Sequence, residues 1–357
     1  MVATQIKQFK TQKTTNSRIK SVNFKDLLFG ATFSDHMFVA NCIDGVWQEP
    51  SIIPYGNTPM TPALSGLHYG QSIFEGLKAY RNNKGIINLF RIDEHYKRMN
   101  RSAERLCMPA IPADYFIEGT RQVIKLDKDW VPNEPGSSLY IRPFYFATDE
   151  FIGMRPSQNY TFITFTCPVN PYYTGAVKVF INTESCRAFE GGTGFVKMAG
   201  NYANSMQASQ IAKDNGYNVV LWLDAKERKY IEEFSTMNAF FVINGTAITP
   251  PTSGTILQGI TRDCLVTLLK NQNIPHEVRP ISIDEILDAQ KKGTLQEAFG
   301  AGTAASVAPV EYLDYNKHRI NLPPYSDWKI APLLQKTISN IRFGQSADIH
   351  NWLSPIE

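Results

Sequence analysis

A two-domain α/β fold is predicted by three observations. The chain has 357 residues, enough to bury two cores of ordinary size. Its first half alternates strand-like and helix-like runs. The segment 167–176, CPVNPYYTGA, then sets Pro, Tyr and Gly between two strand-like runs, which marks a linker. The expected organisation is a basic arm at 1–24, an N-terminal domain at 25–166, the linker at 167–176 and a C-terminal domain at 177–357.

Each element has a local reason. QSIFEGLKAY (71–80) and IINLFR (86–91) flank Asn82-Asn83-Lys84-Gly85, a hairpin turn with Gly where positive φ is wanted. Asp93 is expected to cap a helix with Tyr96, Met99, Ala103 and Leu106 on one face. A second helix covers about 113–126, and strands follow at 138–147 and 160–166. The C-terminal half begins with the strand VKVFIN (177–182) and the Gly-rich loop EGGTGFVKMAGNY (190–202). A helix at about 203–214 ends at Gly216, and the strand NVVLWLD (218–224) follows. Ser282 and Glu285 predict a capping box, and FGAGTAA (299–305) is read as a loop. A last helix runs from about Pro332 to Phe343, burying Leu334, Ile338 and Ile341 and stopping at Gly344.

Composition excludes several classes of function. Residues 1–25 carry six basic residues (Lys7, Lys10, Lys13, Arg18, Lys20, Lys25) and no acid, leaving 30 basic and 33 acidic residues in the remainder. A basic arm on a slightly acidic body is not the charge pattern of a nucleic-acid binder. A transit peptide is the rival reading of the arm, opposed by its single Arg and weak amphipathicity. The five cysteines are scattered without a CxxC pair, which argues against a zinc site or disulfide framework and for a reducing compartment, here the cytoplasm. No apolar run approaches membrane-spanning length, and no signal-peptide core is seen. The six histidines show no metal spacing, and His36 and His68 are expected to be structural.

The residues that point to chemistry begin with Lys197. It lies between Phe195-Val196 and Met198-Ala199, where lost hydration favours the neutral, nucleophilic amine. Adjacent glycines let a bulky cofactor approach the backbone. A lysine snorkelling beside a flexible loop is the competing explanation, whereas a P-loop fails for want of Gly-Lys-Ser/Thr. Glu233 follows KYIE and precedes a run without charge until Arg262. It reads as a surface edge residue or as the carboxylate that keeps a pyridine nitrogen protonated. Gly259-Ile260-Thr261-Arg262 offers free N–H groups and the Thr261 hydroxyl at a helix start, an anion site. A carboxylate and an anion cup together suit a cationic ring carrying a phosphate, and pyridoxal phosphate is such a ring.

Other segments suit a substrate. Gly300–Ala304 matches a dinucleotide fingerprint only superficially, since no regular βαβ unit follows; its small residues suit N–H groups approaching a carboxylate. Tyr140 and Arg142, two apart on a strand, share a face. They fit a pocket for an apolar side chain and a carboxylate, or an exposed edge-strand pair, which Pro143 would permit. Arg91 is read as the partner of a phosphate or of a neighbouring carboxylate.

Taken together, the chain resembles the branched-chain amino acid aminotransferases, fold-type IV pyridoxal-phosphate enzymes. The resemblance lies in FGATFSDHM (29–37), LHYGQSIFEGLKAYR (67–81), SLYIRPF (138–144), GGTGFVKMAGNY (191–202), EEFSTMNAFF (232–241), TPPTSGTILQGITR (249–262) and EAFGAGTAASVAPV (297–310), seven motifs in the family's order. It implies the α/β two-domain architecture of that fold type, with a smaller N-terminal domain and a larger, β-rich, cofactor-binding C-terminal one. It further implies that Lys197 forms the internal Schiff base with pyridoxal 5'-phosphate and that Glu233 pairs with the pyridine nitrogen. Tyr202 would bond the ring's phenolic oxygen, Arg91, Ile260 and Thr261 would hold the phosphate, and Thr236 would sit close to the cofactor. Thr303 and Ala304 would receive the substrate carboxylate through backbone N–H groups. Phe33, Tyr140 and Tyr172 would line the side-chain pocket, with Arg142 receiving the distal carboxylate of glutamate or 2-oxoglutarate. Tyr69 in this family reaches across a dimer interface, which implies a homodimer. Amino acids and 2-oxo acids are the expected partners, with no nucleic acid and no membrane. Where animal mitochondrial members carry a CxxC redox pair, this chain has Ala305 and Ala308, so no thiol regulation is expected. D-amino-acid aminotransferases and aminodeoxychorismate lyases share the lysine, the glutamate and the phosphate cup; a non-catalytic relative that kept the fold is the rival of another class.

Overall fold

The computed structural model describes residues 8–252 and 254–356, so Lys7 of the basic arm lies outside the described residues. Two compact units emerge. Unit one comprises residues 1–171, 197–200 and 341–357, and unit two residues 172–196 and 201–340.

Unit one is built on a mixed sheet. From one edge its strands run Lys10–Thr11, Ser51–Pro54, His36–Ile43, Tyr160–Val169, Ser138–Ala147, Leu77–Arg81, Ile87–Phe90 and Leu353–Pro355. The strands of SLYIRPFYFA and YTFITFTCPV pair antiparallel from Ser138↔Val169 to Ala147↔Tyr160, because both are rich in the aromatic and β-branched residues that fill a pleated surface. The helices Ile92–Arg105 and Ala113–Leu126 bury Met99, Ala103, Phe116 and Val123 in a core with Phe38, Leu77 and Phe162. Gly119 allows that approach, since a Cβ there would meet the Phe38 ring at 2.8 Å.

Unit two holds a second sheet that closes on itself. Its path runs Ile231–Phe234, Val219–Leu223, Val177–Asn182, Ser306–Tyr315, Leu295–Gly302 and Met237–Ile243, and the last strand pairs back onto the first. Closure leaves these six strands without a free edge among themselves. The ring is filled by Val179, Leu221, Phe234, Phe241, Ala298 and Leu313, and Ile286 of the helix Ile283–Lys291 joins the same core. The hairpin at Asn244-Gly245 has φ of 50° and 74°, both positive as a type I′ turn requires.

Several expectations are corrected here. From Phe9 onward the arm is part of unit one: Phe9 is buried against Phe38 with ring centroids 5.1 Å apart, and Lys10–Thr11 pairs with Ser51–Pro54. An aromatic residue among the lysines supplies the apolar surface that anchors it. The linker is shorter than 167–176, because Cys167–Val169 continues the strand against Ser138–Tyr140. The second half of the chain does not stay whole either. Lys197–Gly200 belongs to unit one, where Phe74 donates its N–H to the Lys197 carbonyl and Ile73 bridges to Met198. Asp93 is in the first turn of its helix, and Arg91 stands at the N-cap position with no side-chain cap. The Gly-rich loop is cut short by a helix at Ala199–Asn204, followed by another at Met206–Asp214. FGAG of 299–302 is strand, pairing with Asn238–Phe240; only residues 303–305 turn. The capping box forms by half: Ser282 Oγ accepts from Glu285 N at 3.1 Å, while the Glu285 carboxylate is drawn to Arg279 at 2.7 Å.

Candidate active site

The expected site residues fall into two groups, one on each unit. In unit one, Lys197 is fixed through its backbone. Its N–H donates to Ser102 Oγ at 3.0 Å, its carbonyl accepts from Phe74 N at 3.1 Å, and its ammonium lies 4.8 Å from the Phe74 ring centroid. Ser102 sits on the helix Ile92–Arg105, which a buried ionic cluster ties to the sheet: Glu75 accepts from Arg98 at 2.6 Å and from the His95 ring at 2.7 Å. Burial works to raise the Glu75 carboxyl, but Arg98 and His95 overcome it and hold the group far below the ordinary carboxylate range. Burial itself holds His95 below its ordinary value. Sequence reasoning missed this cluster, because its partners are brought together by strand–helix packing.

Arg91 occupies a left-handed conformation, φ 55°, just before that helix. Such a conformation is uncommon for a residue with a Cβ. Its N–H donates to the Trp352 carbonyl at 2.8 Å and its guanidinium lies 5.6 Å from the Trp352 ring. Tyr140 and Arg142 share a face as expected, and Arg142 donates to the Tyr140 hydroxyl at 3.0 Å. Their strand is central, flanked by Tyr160–Val169 and Leu77–Arg81, which removes the edge-strand alternative. Phe33 packs with Tyr140 in one small cluster that includes Cys167 and Val169. Tyr69 stands apart from them, exposed at the end of the helix Ser65–Tyr69.

Unit two carries Glu233, and its surface-edge alternative is overturned. The side chain is 4% exposed, on a strand paired on both sides. A buried carboxylate needs a partner, and Arg187 supplies it at 2.8 Å. Sequence reasoning missed Arg187, which lies in an irregular segment with no periodic signal. Asn238 was missed too. Its amide donates to Glu233 Oε2 at 3.3 Å and to the Leu257 carbonyl at 2.9 Å. Its Oδ1 faces Gly259 so closely that a Cβ there would lie 1.9 Å away. Asn238 thus bridges the carboxylate and the helix start.

That helix is Ile260–Asn271, capped by Gly259 and opening on Ile260 and Thr261, both buried. Arg262 turns inward, donating to the Thr249 hydroxyl and the Pro250 carbonyl. Thr236 is exposed on the turn between two strands, with its hydroxyl in a hydrogen bond to Tyr173, the neighbour of Tyr172. Gly302 lets the turn of Thr303 and Ala304 approach Thr236, since a Cβ would meet the Thr236 carbonyl at 3.1 Å. Tyr172 is half-exposed on unit two, and Tyr202 is half-buried in the helix Ala199–Asn204.

The donor set fits pyridoxal phosphate. Unit two offers a buried carboxylate with a cationic partner to keep it ionised, and a helix N-terminus whose cap lacks a Cβ. Unit one offers an amine on a backbone fixed at both its N–H and its carbonyl.

Comparison with known proteins agrees with this reading. Residues 72–313 match the family described as amino-transferase class IV. The chain is 44% identical over 334 residues to branched-chain-amino-acid aminotransferase 2 of Bacillus subtilis, covering 92% of each chain. It is 40% identical over 335 residues to the branched-chain-amino-acid aminotransferase of Mycolicibacterium smegmatis, covering 91% of each. Among solved structures, the Escherichia coli branched-chain amino acid aminotransferase superposes with a TM-score of 0.75 at 26% identity, over 90% of this chain and 99% of that one. The T.th. branched-chain amino acid aminotransferase complexed with N-(5'-phosphopyridoxyl)-L-glutamate gives 0.72 at 25% identity, over 89% and 98%. The chain belongs to the class IV aminotransferase family and has its two-domain α/β fold.

Proposed function

We propose that this enzyme transfers the amino group of L-leucine, L-isoleucine or L-valine to 2-oxoglutarate, with pyridoxal 5'-phosphate as cofactor. The observation that carries the cofactor assignment is the buried Glu233–Arg187 pair at 2.8 Å. A carboxylate fixed as an anion suits a protonated pyridine nitrogen, and the bound ring would supply an electron sink for charge developing at the substrate Cα. The chain's own residues do the rest. Lys197 would anchor the cofactor through Nζ and, once the incoming substrate amine has displaced it, its freed amine would take and return the Cα proton. Tyr202 orients the ring through its phenolic oxygen, and Thr236 lies beside it. Arg91, the Ile260 N–H and Thr261 bind the phosphate. Thr303 and Ala304 take the substrate carboxylate. Phe33, Tyr140 and Tyr172 shelter its apolar side chain, and Arg142 receives the second carboxylate of the glutamate pair.

A homodimer is part of the proposal. Leu67 (72% exposed), Tyr69, Ile152 and Met154 (92% exposed) are exposed apolar side chains of unit one, carried on two segments that the Phe151 N–H joins at the Ala63 carbonyl. Exposed apolar side chains of this size suit an interface, and the family resemblance names a second copy of the chain as the occupant. We place the enzyme in the cytoplasm, on its five unpaired cysteines.

The decisive experiment compares wild type with Lys197→Ala. The variant is expected to fold, to lose the absorption band of the bound cofactor, and to lose about 10⁴-fold or more in turnover with L-leucine and 2-oxoglutarate. Retained turnover would sink the assignment. Faster reaction of D-alanine than of L-leucine would move it to the D-amino-acid enzymes.

A further inference from the structure

Arg91 is held in place by the C-terminal segment of unit one. The strand Leu353–Pro355 pairs antiparallel with Ile87–Phe90, from Pro355↔Asn88 to Leu353↔Phe90. One step further, the same register sets Trp352 opposite Arg91. There the Arg91 N–H donates to the Trp352 carbonyl at 2.8 Å, and the Arg91 carbonyl accepts from Glu94 N at 3.1 Å and from His95 N at 3.2 Å. Both peptide groups of a residue at φ 55° are therefore engaged. For a residue with a Cβ this backbone is strained; it persists only where its surroundings over-determine it, and such positions cluster at functional sites.

The side chain of Arg91 is steered by the same partner. Its guanidinium carbon lies 5.6 Å from the Trp352 ring centroid, within range of a cation–π contact. The indole is itself fixed: it is buried, stacked on the His350 ring at 4.3 Å and 20°, and edge-on to Phe90 at 5.9 Å. Further bonds seat the segment around it. The Leu353 N–H donates to Asp348 Oδ2 at 2.7 Å, Arg121 of the helix Ala113–Leu126 donates to the Pro355 carbonyl at 3.0 Å, and the Ile356 N–H donates to the Ile87 carbonyl at 2.9 Å. An arginine on a loose stem samples many rotamers, and ordering them at the moment of binding weakens affinity. A rigid aromatic face does that ordering when the chain folds.

We propose that Trp352 is a positioning residue for the cofactor phosphate: its ring, seated by the C-terminal strand, holds the Arg91 guanidinium in the pose that meets the phosphate. Trp352 acts through Arg91, so its loss weakens the phosphate's share of cofactor binding and leaves the pyridine ring's share intact. This role rests on the assignment of Arg91 to the cofactor phosphate proposed above.

The test compares two ligands that differ only in the phosphate. Full-length enzyme stripped of cofactor is titrated with pyridoxal 5'-phosphate and with pyridoxal, and the absorption band of the bound ligand gives both Kd values. Arg91→Gln is expected to raise the Kd for pyridoxal 5'-phosphate about a hundredfold, the loss of a charge-assisted contact, and that for pyridoxal less than about twofold. Trp352→Leu is expected to raise the first about tenfold and the second less than about twofold. Trp352→Phe keeps an aromatic face and carries the test if the leucine variant does not fold; about fourfold is expected, for the phosphate form alone. In the Arg91→Gln background, Trp352→Leu is expected to add less than about twofold, because the guanidinium it serves is gone. Equal losses for the two ligands, or full additivity of the two substitutions, would make Trp352 merely structural and overturn the proposal. No phosphate-specific loss in Arg91→Gln would overturn the Arg91 assignment and this role with it. Such a loss in Arg91→Gln but in neither Trp352 variant would overturn the role of Trp352 alone.

Discussion

Glu232 and Glu233 are neighbours on one strand, inside the bulge that lets Ile231 and Phe234 both join the core of unit two. Both are buried, yet their electrostatic surroundings differ. Glu233 meets Arg187 at 2.8 Å and the Asn238 amide at 3.3 Å. Glu232 shares one hydroxyl hydrogen bond, and its second oxygen is sealed from solvent with no hydrogen-bond partner among the described residues. Burial pushes the Glu232 carboxyl up to about 7, with the neighbouring Glu233 charge adding to the effect. The difference teaches that burial alone does not define a functional acid: one neighbour is a fixed anion, the other an acid poised between its two forms.

The largest expected effect comes from breaking the satisfied pair. Arg187→Met leaves the Glu233 carboxylate buried without its cation and is expected to cost about 3–5 kcal/mol in urea unfolding. Adding Glu233→Gln to that variant should recover much of the loss, because the uncompensated charge goes with it. If the double variant is no more stable than the single one, Arg187 acts through packing and the contrast fails.

Glu232→Gln should act with the opposite sign. The folded-state pKa of about 7 stands above the reference value of 4.5, so the native state holds this proton more tightly than the unfolded chain does. Stability is therefore present at low pH and lost as pH rises between those values. The variant removes that loss. It is expected to exceed wild type by about 2 kcal/mol at pH 8 and to match it near pH 4.5, read from urea midpoints at both pH values. A variant less stable than wild type at pH 8 would show that an unseen partner already satisfies Oε2.

The smallest effect sharpens the same point. Thr255→Val removes the hydroxyl that bonds Glu232 and is expected to cost about 1 kcal/mol at pH 8. It should also move the Glu232 titration to higher pH, since that hydrogen bond lowers the carboxyl's pKa. Carboxylate chemical shifts of labelled glutamate would report it, and a shift to lower pH would contradict the assignment.

Much of the fold is legible in the chain. The strands at 138–147 and 177–182 and the helix at 113–126 match the structure residue for residue, because each has strong local propensity and clear flanking turns. The Asn244-Gly245 hairpin follows from positive-φ backbone conformations that few residues tolerate, whereas Gly259 is extended and owes its identity to the Asn238 side chain packed against it. FGAG at 299–302 reads as a loop, since small residues without β-branching give no strand signal, and only pairing with Asn238–Phe240 makes it a strand. Asp93 reads as a cap, yet the left-handed conformation of Arg91, which no propensity foretells, takes that position.

Sequence alone determined the chemical vocabulary: an amine at Lys197, a carboxylate at Glu233 and a helix start at Gly259, each written in residues close together along the chain. Tertiary structure decided which charges meet. Arg187 reaches Glu233, Asn238 ties that carboxylate to the helix start, and the adjacent Glu232 keeps one oxygen without a hydrogen-bond partner among the described residues. The physical reason is range. Backbone propensity acts over a few residues, whereas the free energy of a buried charge is set by whatever distant segments the fold brings within hydrogen-bond reach.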